Sequence, residues 1–103
     1  MYSLKYTDSF KFALQQTIDY WQNELKLSEV RIRSFVRSIY KSLQKLRKYP
    51  FLAPNVSDLY GFTVPTFRIV IGRSYAIFYR VNQKRQLIEV GAFFNTSQMK
   101  VLF

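Results

Sequence analysis

The apolar residues change their period once along this chain, and that change sets the fold class. From Phe10 to about Tyr49 they recur every three or four residues, as on one face of a helix. From Thr66 to Phe93 they alternate, as on the two faces of a strand. Between the two halves lie Pro50, Pro54, Gly61 and Pro65, with Asn55, Ser57 and Asp58 among them, so this interval reads as one long loop. Loops of such length in small domains often contact partners. The expected class is α+β: an N-terminal strand, an antiparallel helical hairpin, and a C-terminal antiparallel meander on which the hairpin packs.

Residues 2–6, Tyr-Ser-Leu-Lys-Tyr, alternate and predict a short strand. Asp8 or Ser9 is expected to cap the first helix, whose apolar stripe is Phe10, Leu14, Ile18, Trp21 and Leu25. Ser28 is expected to cap the second, with Glu29 in its first turn. Ile32, Phe35, Val36, Ile39, Leu43 and Leu46 share one side of that helix, and Arg33, Arg37, Lys41, Lys45 and Lys48 fall nearly opposite. The predicted strands are Thr66–Ile71, Tyr75–Val81 and Leu87–Phe93, with turns at Gly72-Arg73-Ser74 and from Asn82 to Gln86.

If Ile71 opposes Tyr75 and Val81 opposes Leu87, both sheet faces are apolar in the middle. One collects Phe67, Ile69, Ile71, Tyr75, Ile77, Tyr79, Leu87 and Phe93; the other collects Arg68, Val70, Ala76, Phe78, Arg80, Ile88, Val90, Ala92 and Phe94. A helical hairpin covers only one of them. The second face is then open, and Val70, Ala76, Phe78, Val90 and Phe94 form its apolar patch, with Arg68 and Arg80 at the margin. Either residues 98–103, where Met99, Val101, Leu102 and Phe103 are apolar, fold back over it, or a partner or second copy covers it. The reading favours the partner.

Charge describes that partner. The chain carries 16 Lys and Arg against 6 Asp and Glu, a net charge of +10 over 103 residues. Most of the excess lies between residues 28 and 50, where Arg31, Arg33, Arg37, Lys41, Lys45, Arg47 and Lys48 face Glu29 alone. An anionic partner is implied, whether nucleic acid, a membrane surface or an acidic protein. A membrane is disfavoured because the apolar side of the basic helix is expected to be used against the sheet. With neither cysteine nor histidine, disulfide scaffolds, thiol nucleophiles, His-centred triads and ordinary zinc sites are excluded; no cofactor and no metal are expected. No run approaches the roughly 20 apolar residues that span a bilayer, and the start of the chain lacks signal-peptide features. A single soluble, cytoplasmic domain over residues 1–103 is expected, with no membrane partner.

The order of elements, together with Tyr49-Pro50-Phe51, Phe67-Arg68-Ile69-Val70-Ile71-Gly72, Tyr75-Ala76-Ile77-Phe78-Tyr79-Arg80-Val81 and Leu87-Ile88-Glu89-Val90-Gly91, resembles the RelE/ParE toxin superfamily. The resemblance implies the toxin of a type II toxin–antitoxin module, of the plasmid-stabilisation type. Such a toxin arrests growth and is held in a hetero-oligomer by an acidic antitoxin. It also implies one of two targets: ParE-type members bind DNA gyrase, and RelE-type members cleave mRNA in the ribosomal A site with basic and Tyr, or His and Glu, side chains on the open sheet face.

Here Ala76 and Val70 stand where RNA-cleaving relatives carry Arg and Lys, and Ala92-Phe93-Phe94-Asn95-Thr96-Ser97-Gln98-Met99-Lys100 stands where they show basic residues and a late Tyr or His after Gly91. On that ground the sequence leans to gyrase binding. Ribosome-dependent cleavage is the alternative, with Arg68, Arg80 and Lys100 contacting RNA; a non-toxic nucleic-acid-binding module is a third reading. In each, Arg33, Arg37, Lys41, Lys45, Lys48 and the turn residue Arg73 form the basic face offered to the target.

Overall fold

The structure, a computed structural model, describes residues 1–97 and 101–103. Seven elements follow in order: β1 (Ser3–Tyr6), α1 (Asp8–Asn23), α2 (Glu29–Lys48), α3 (Ser57–Tyr60), β2 (Phe67–Ile71), β3 (Tyr75–Asn82) and β4 (Leu87–Asn95). They build one sheet of order β1-β4-β3-β2, in which β1 runs parallel to β4 and the other pairs are antiparallel. The expected α+β arrangement is what forms.

The caps show how each helix is placed. Ser28 accepts from the Arg31 amide at 3.2 Å, as its position predicts. α1 is capped instead by Thr7, one residue earlier than expected. Its hydroxyl accepts from the Phe10 amide at 3.1 Å and donates to the Gly91 carbonyl at 2.9 Å. One side chain thus starts the helix and fastens it to β4, a double role that neither Asp8 nor Ser9 fills. Leu25, placed in the α1 stripe by spacing, lies beyond the helix and is exposed.

The core on the helical side of the sheet gathers Phe10, Ile39, Leu43 and Leu46 against Phe67, Ile71, Ile77, Tyr79, Ile88, Val90 and Phe93. Val90 and Ile88 correct the predicted faces. Ile71 does pair with Tyr75, but Val81 pairs with Ile88 and Asn82 with Leu87. Between Phe78 and Tyr79 the register shifts: Phe78 faces Ala92 while Tyr79 faces Val90, leaving Gly91 unmatched. This bulge inserts one residue and reverses the parity of everything before it in β4. Ile88 and Val90 therefore turn to the helices, Leu87 and Glu89 turn away, and Ala92, Phe93 and Phe94 stay where alternation puts them.

The second face is not open. Val56, Ala76, Phe78, Ala92 and Val101 form a separate buried cluster, with Tyr60, Phe62, Phe94 and Phe103 packed around it. The Pro50–Pro65 interval supplies part of the cover. Asn55 Oδ1 accepts from the Ser57 amide at 2.9 Å and from its hydroxyl at 2.6 Å, Val56 N–H donates to Thr66 C=O at 2.8 Å, and Gly61 closes α3 with φ +71°. Residues 101–103 supply the rest. Of the predicted apolar patch, Ala76 and Phe78 are buried beneath this cover, Phe94 is half-buried, and only Val70, 48% exposed, faces solvent. The patch was expected open because neither the loop nor the last residues carry a periodic signal of where they pack.

Candidate functional site

Arg68 and Arg80 do share the second face. Arg68 stands on β2 opposite Phe78, and Arg80 is two residues further along β3. Arg68 Nη1 donates to the Tyr60 hydroxyl at 2.8 Å and its guanidinium lies 5.9 Å from that ring's centroid; its buried Nε has no hydrogen-bond partner among the described residues. Arg80 Nε donates to Thr66 Oγ1 at 3.0 Å. The Thr66 hydroxyl is fully buried and itself donates to Val64 C=O at 3.0 Å, so it holds the arginine from below.

Two aromatic rings close over Arg80. Phe103 lies with its centroid 3.8 Å from the guanidinium carbon, and Phe62 with its centroid 5.4 Å away. Phe103 reaches this depth because Gly91 has no side chain; a Cβ there would overlap the ring. Burial pulls the Arg80 pKa below its ordinary value, and Glu89, paired with Arg80 across the strands, opposes the shift. The two arginines thus flank Phe78, with Ala76 beyond it on the same face, and Phe103 stands over Arg80.

Glu89 is the residue that sequence reasoning missed. Simple alternation puts it among the helices; the bulge puts it between Lys5 and Arg80, its Cα partners on the two neighbouring strands. Lys5, Arg80, Arg85 and Glu89 line a polar cavity of about 210 Å³. A glycine inside a strand pattern is the available signal for a bulge, and Gly91 was that signal.

The remaining predicted residues divide. Arg33, Arg37, Lys41, Lys45 and Lys48 all stand exposed on α2, and Arg33 pairs with Glu29 one turn away. Arg73 is exposed in the β2–β3 turn. Lys100 lies outside the described residues, as do Gln98 and Met99. Val90, fully buried on the helical side, is not part of the second face. Between α1 and α2 an apolar groove of about 340 Å³ runs past Phe10, Leu14, Ile18, Val36 and Tyr40. Among the described residues no helix is long and apolar enough to cross a membrane.

No protein-family model matches the sequence, and no curated protein matches it. The fold does have counterparts among solved structures. A chain of the intact E. coli RelBE toxin–antitoxin complex superposes with a TM-score of 0.59 at 13% identity, over 95% of this chain and all of that one. The isolated E. coli RelE toxin gives 0.60 at 14% identity, over 95% of this chain and 87% of the other. A chain of the archaeal RelE–RelB complex from Pyrococcus horikoshii gives 0.53 at 19% identity, over 94% and 97%. An N-terminal strand, a helical pair and a meander in this order and at these lengths therefore make the fold of this chain that of the RelE toxins.

Proposed function

We propose that residues 1–103 act as one domain, the toxin of a type II toxin–antitoxin module, working in the cytoplasm and directed in the RelE manner at mRNA on the ribosome. The observation that carries this is the likeness to RelE, free and in complex, across nearly the entire chain. These likenesses favour RNA over gyrase, to which residue substitutions alone inclined the reading. Arg68 and Arg80, fastened to the sheet by Tyr60 and Thr66, supply positive charge for a phosphodiester at fixed positions. Val70 and Ala76, the same-face pair next to Arg68 and Phe78, leave that face without the further basic side chains that general acid–base work uses. The reaction then leans on orientation by the ribosome.

Neutralisation follows from the cover. An acidic, amphipathic antitoxin segment would take the place of residues 101–103 over Ala76, Phe78 and Phe94, with Val70 at its edge. Charge complementarity to a +10 chain speeds that encounter. The test is controlled induction in a bacterial host, with primer extension on abundant messages. Growth arrest, cuts in translated mRNA, and relief by the acidic protein encoded beside the gene are expected. Harmless induction overturns the toxin reading; arrest with intact messages and gyrase-linked DNA breaks returns it to gyrase.

A further inference from the structure

β1 pairs with β4 only from Leu87 to Val90, so among the described residues the β4 edge from Ala92 to Asn95 has no strand beside it on that side. α1 runs past this gap, and between helix and strand opens a slot of about 520 Å³. Gln16, Thr17 and Tyr20 line it from α1; Tyr75, Phe93 and Asn95 line it from the strands. In a chain with 16 basic and 6 acidic residues, none of the described lining residues is charged. A phosphate or carboxylate would find no counter-ion inside. A neutral, planar, hydrogen-bonding group fits better, and the volume suits a ligand of nucleoside size.

The lining has the parts that recognise such a group. The Tyr75 and Phe93 rings stack 5.2 Å apart and give one aromatic wall. Asn95 Oδ1 is committed to the Ser97 amide at 2.9 Å and hydroxyl at 2.7 Å, which leaves its NH₂ to donate. The exposed Gln16 amide and Tyr20 hydroxyl make no hydrogen bond to protein among the described residues, and Gln16 offers a donor and an acceptor side by side. That pairing suits the N6/N7 edge of adenine. The turn that carries Arg73 is held at this end of the sheet: Thr96 N–H donates to Ser74 C=O at 2.7 Å and its hydroxyl to Arg73 C=O at 3.3 Å, next to Asn95 in the chain.

We propose that this slot holds one unpaired base of single-stranded RNA, with Gln16 and Asn95 on its edge, the aromatic wall beside its face, and Arg73 near its phosphate. The choice of RNA over a free nucleotide rests on the RNA-directed reading above. The test is a series of ¹H–¹⁵N spectra of the full chain titrated with AMP, ribose 5-phosphate and the trinucleotide ApApA. AMP, and more tightly ApApA, should move the side-chain amides of Gln16 and Asn95. They should also move the indole N–H of Trp21, which donates to the Tyr75 hydroxyl at 3.1 Å. Ribose 5-phosphate should not.

Gln16→Ala and Asn95→Ala, both at exposed positions, should each weaken base-dependent binding about ten-fold. Gln16→Ala should leave the rest of the spectrum in place, and Asn95→Ala should otherwise move the amide of Ser97, whose acceptor it removes. AMP binding as tightly as ApApA overturns the RNA assignment. No base-dependent shift at these residues up to millimolar ligand overturns the slot itself. Message cuts on induction without such shifts leave the RNA-directed toxin reading standing and remove this one; ApApA-favoured shifts without cuts keep the slot and remove the RNA-cleaving reading.

Discussion

Phe103 lies over the guanidinium of Arg80, 3.8 Å from ring centroid to guanidinium carbon, in a notch that exists because residue 91 is glycine. The contact joins residue 103 to the candidate RNA-contacting residue, and it seats the cover over the second sheet face.

Gly91→Ala tests whether that contact holds the segment down. The added Cβ collides with the Phe103 ring, so residues 101–103 should lift while the helical-side core stays intact. We expect faster proteolytic trimming of the last residues and a loss of about 1–3 kcal/mol in denaturant unfolding. Unchanged trimming would show that the ring does not hold the segment down.

Arg80→Ala removes the hydrogen bond to Thr66 and the stack under Phe103 together. Stability should fall by about 1–2 kcal/mol, and growth arrest on induction should disappear. Arg80→Lys keeps charge but not the planar stack, and should recover part of the arrest with little of the stability. Full arrest by Arg80→Ala removes Arg80 from the target contact.

Tyr79 separates packing from polarity. Its ring is fully buried, while its hydroxyl leans toward the Ala53 backbone without hydrogen-bond geometry and has no partner among the described residues. Tyr79→Phe should therefore change stability by less than about 1 kcal/mol, whereas Phe78→Ala on the other face should cost about 3–5 kcal/mol.

The same burial raises the Tyr79 pKa above the ordinary tyrosine value of 10.0, and Tyr6 is raised as well, first by burial and then by Tyr40. A raised acid stays protonated in the folded chain while the unfolded chain ionises. Its contribution is whole below pH 10.0 and is lost as pH climbs through the folded value. Unfolding free energy should be flat near neutrality and decline above about pH 10, less steeply in Tyr79→Phe. An equal decline in both proteins would assign the effect elsewhere.

The α2 stripe is a surface rather than a scaffold. Arg37→Gln, Lys41→Gln and Lys45→Gln in combination should shift stability by about 1 kcal/mol or less, since all three side chains are exposed. If the stripe grips RNA, the salt dependence of ribosome or RNA binding should flatten by about 0.7 in log–log slope for each phosphate contact removed. An unaltered slope leaves the stripe as a solvated helix face.

Local sequence determined the types of six of the seven elements (α3 stands in the interval read as a loop), the Ser28 cap, the pairing of Ile71 with Tyr75 across its short turn, the exposure of the α2 cations and the shared face of Arg68 and Arg80, because each follows from period, cap or turn chemistry. Tertiary structure decided the rest. One unmatched residue at Gly91 exchanged the faces of Ile88, Val90, Leu87 and Glu89, since a strand's side-chain period is two and a single insertion inverts it. Loop residues 56–62 and residues 101–103 closed a face that alternation left open, because segments without a period say nothing local about where they pack. The slot beside Asn95 exists only because β1 stops at Tyr6 while β4 continues, a difference in strand lengths between elements some eighty residues apart.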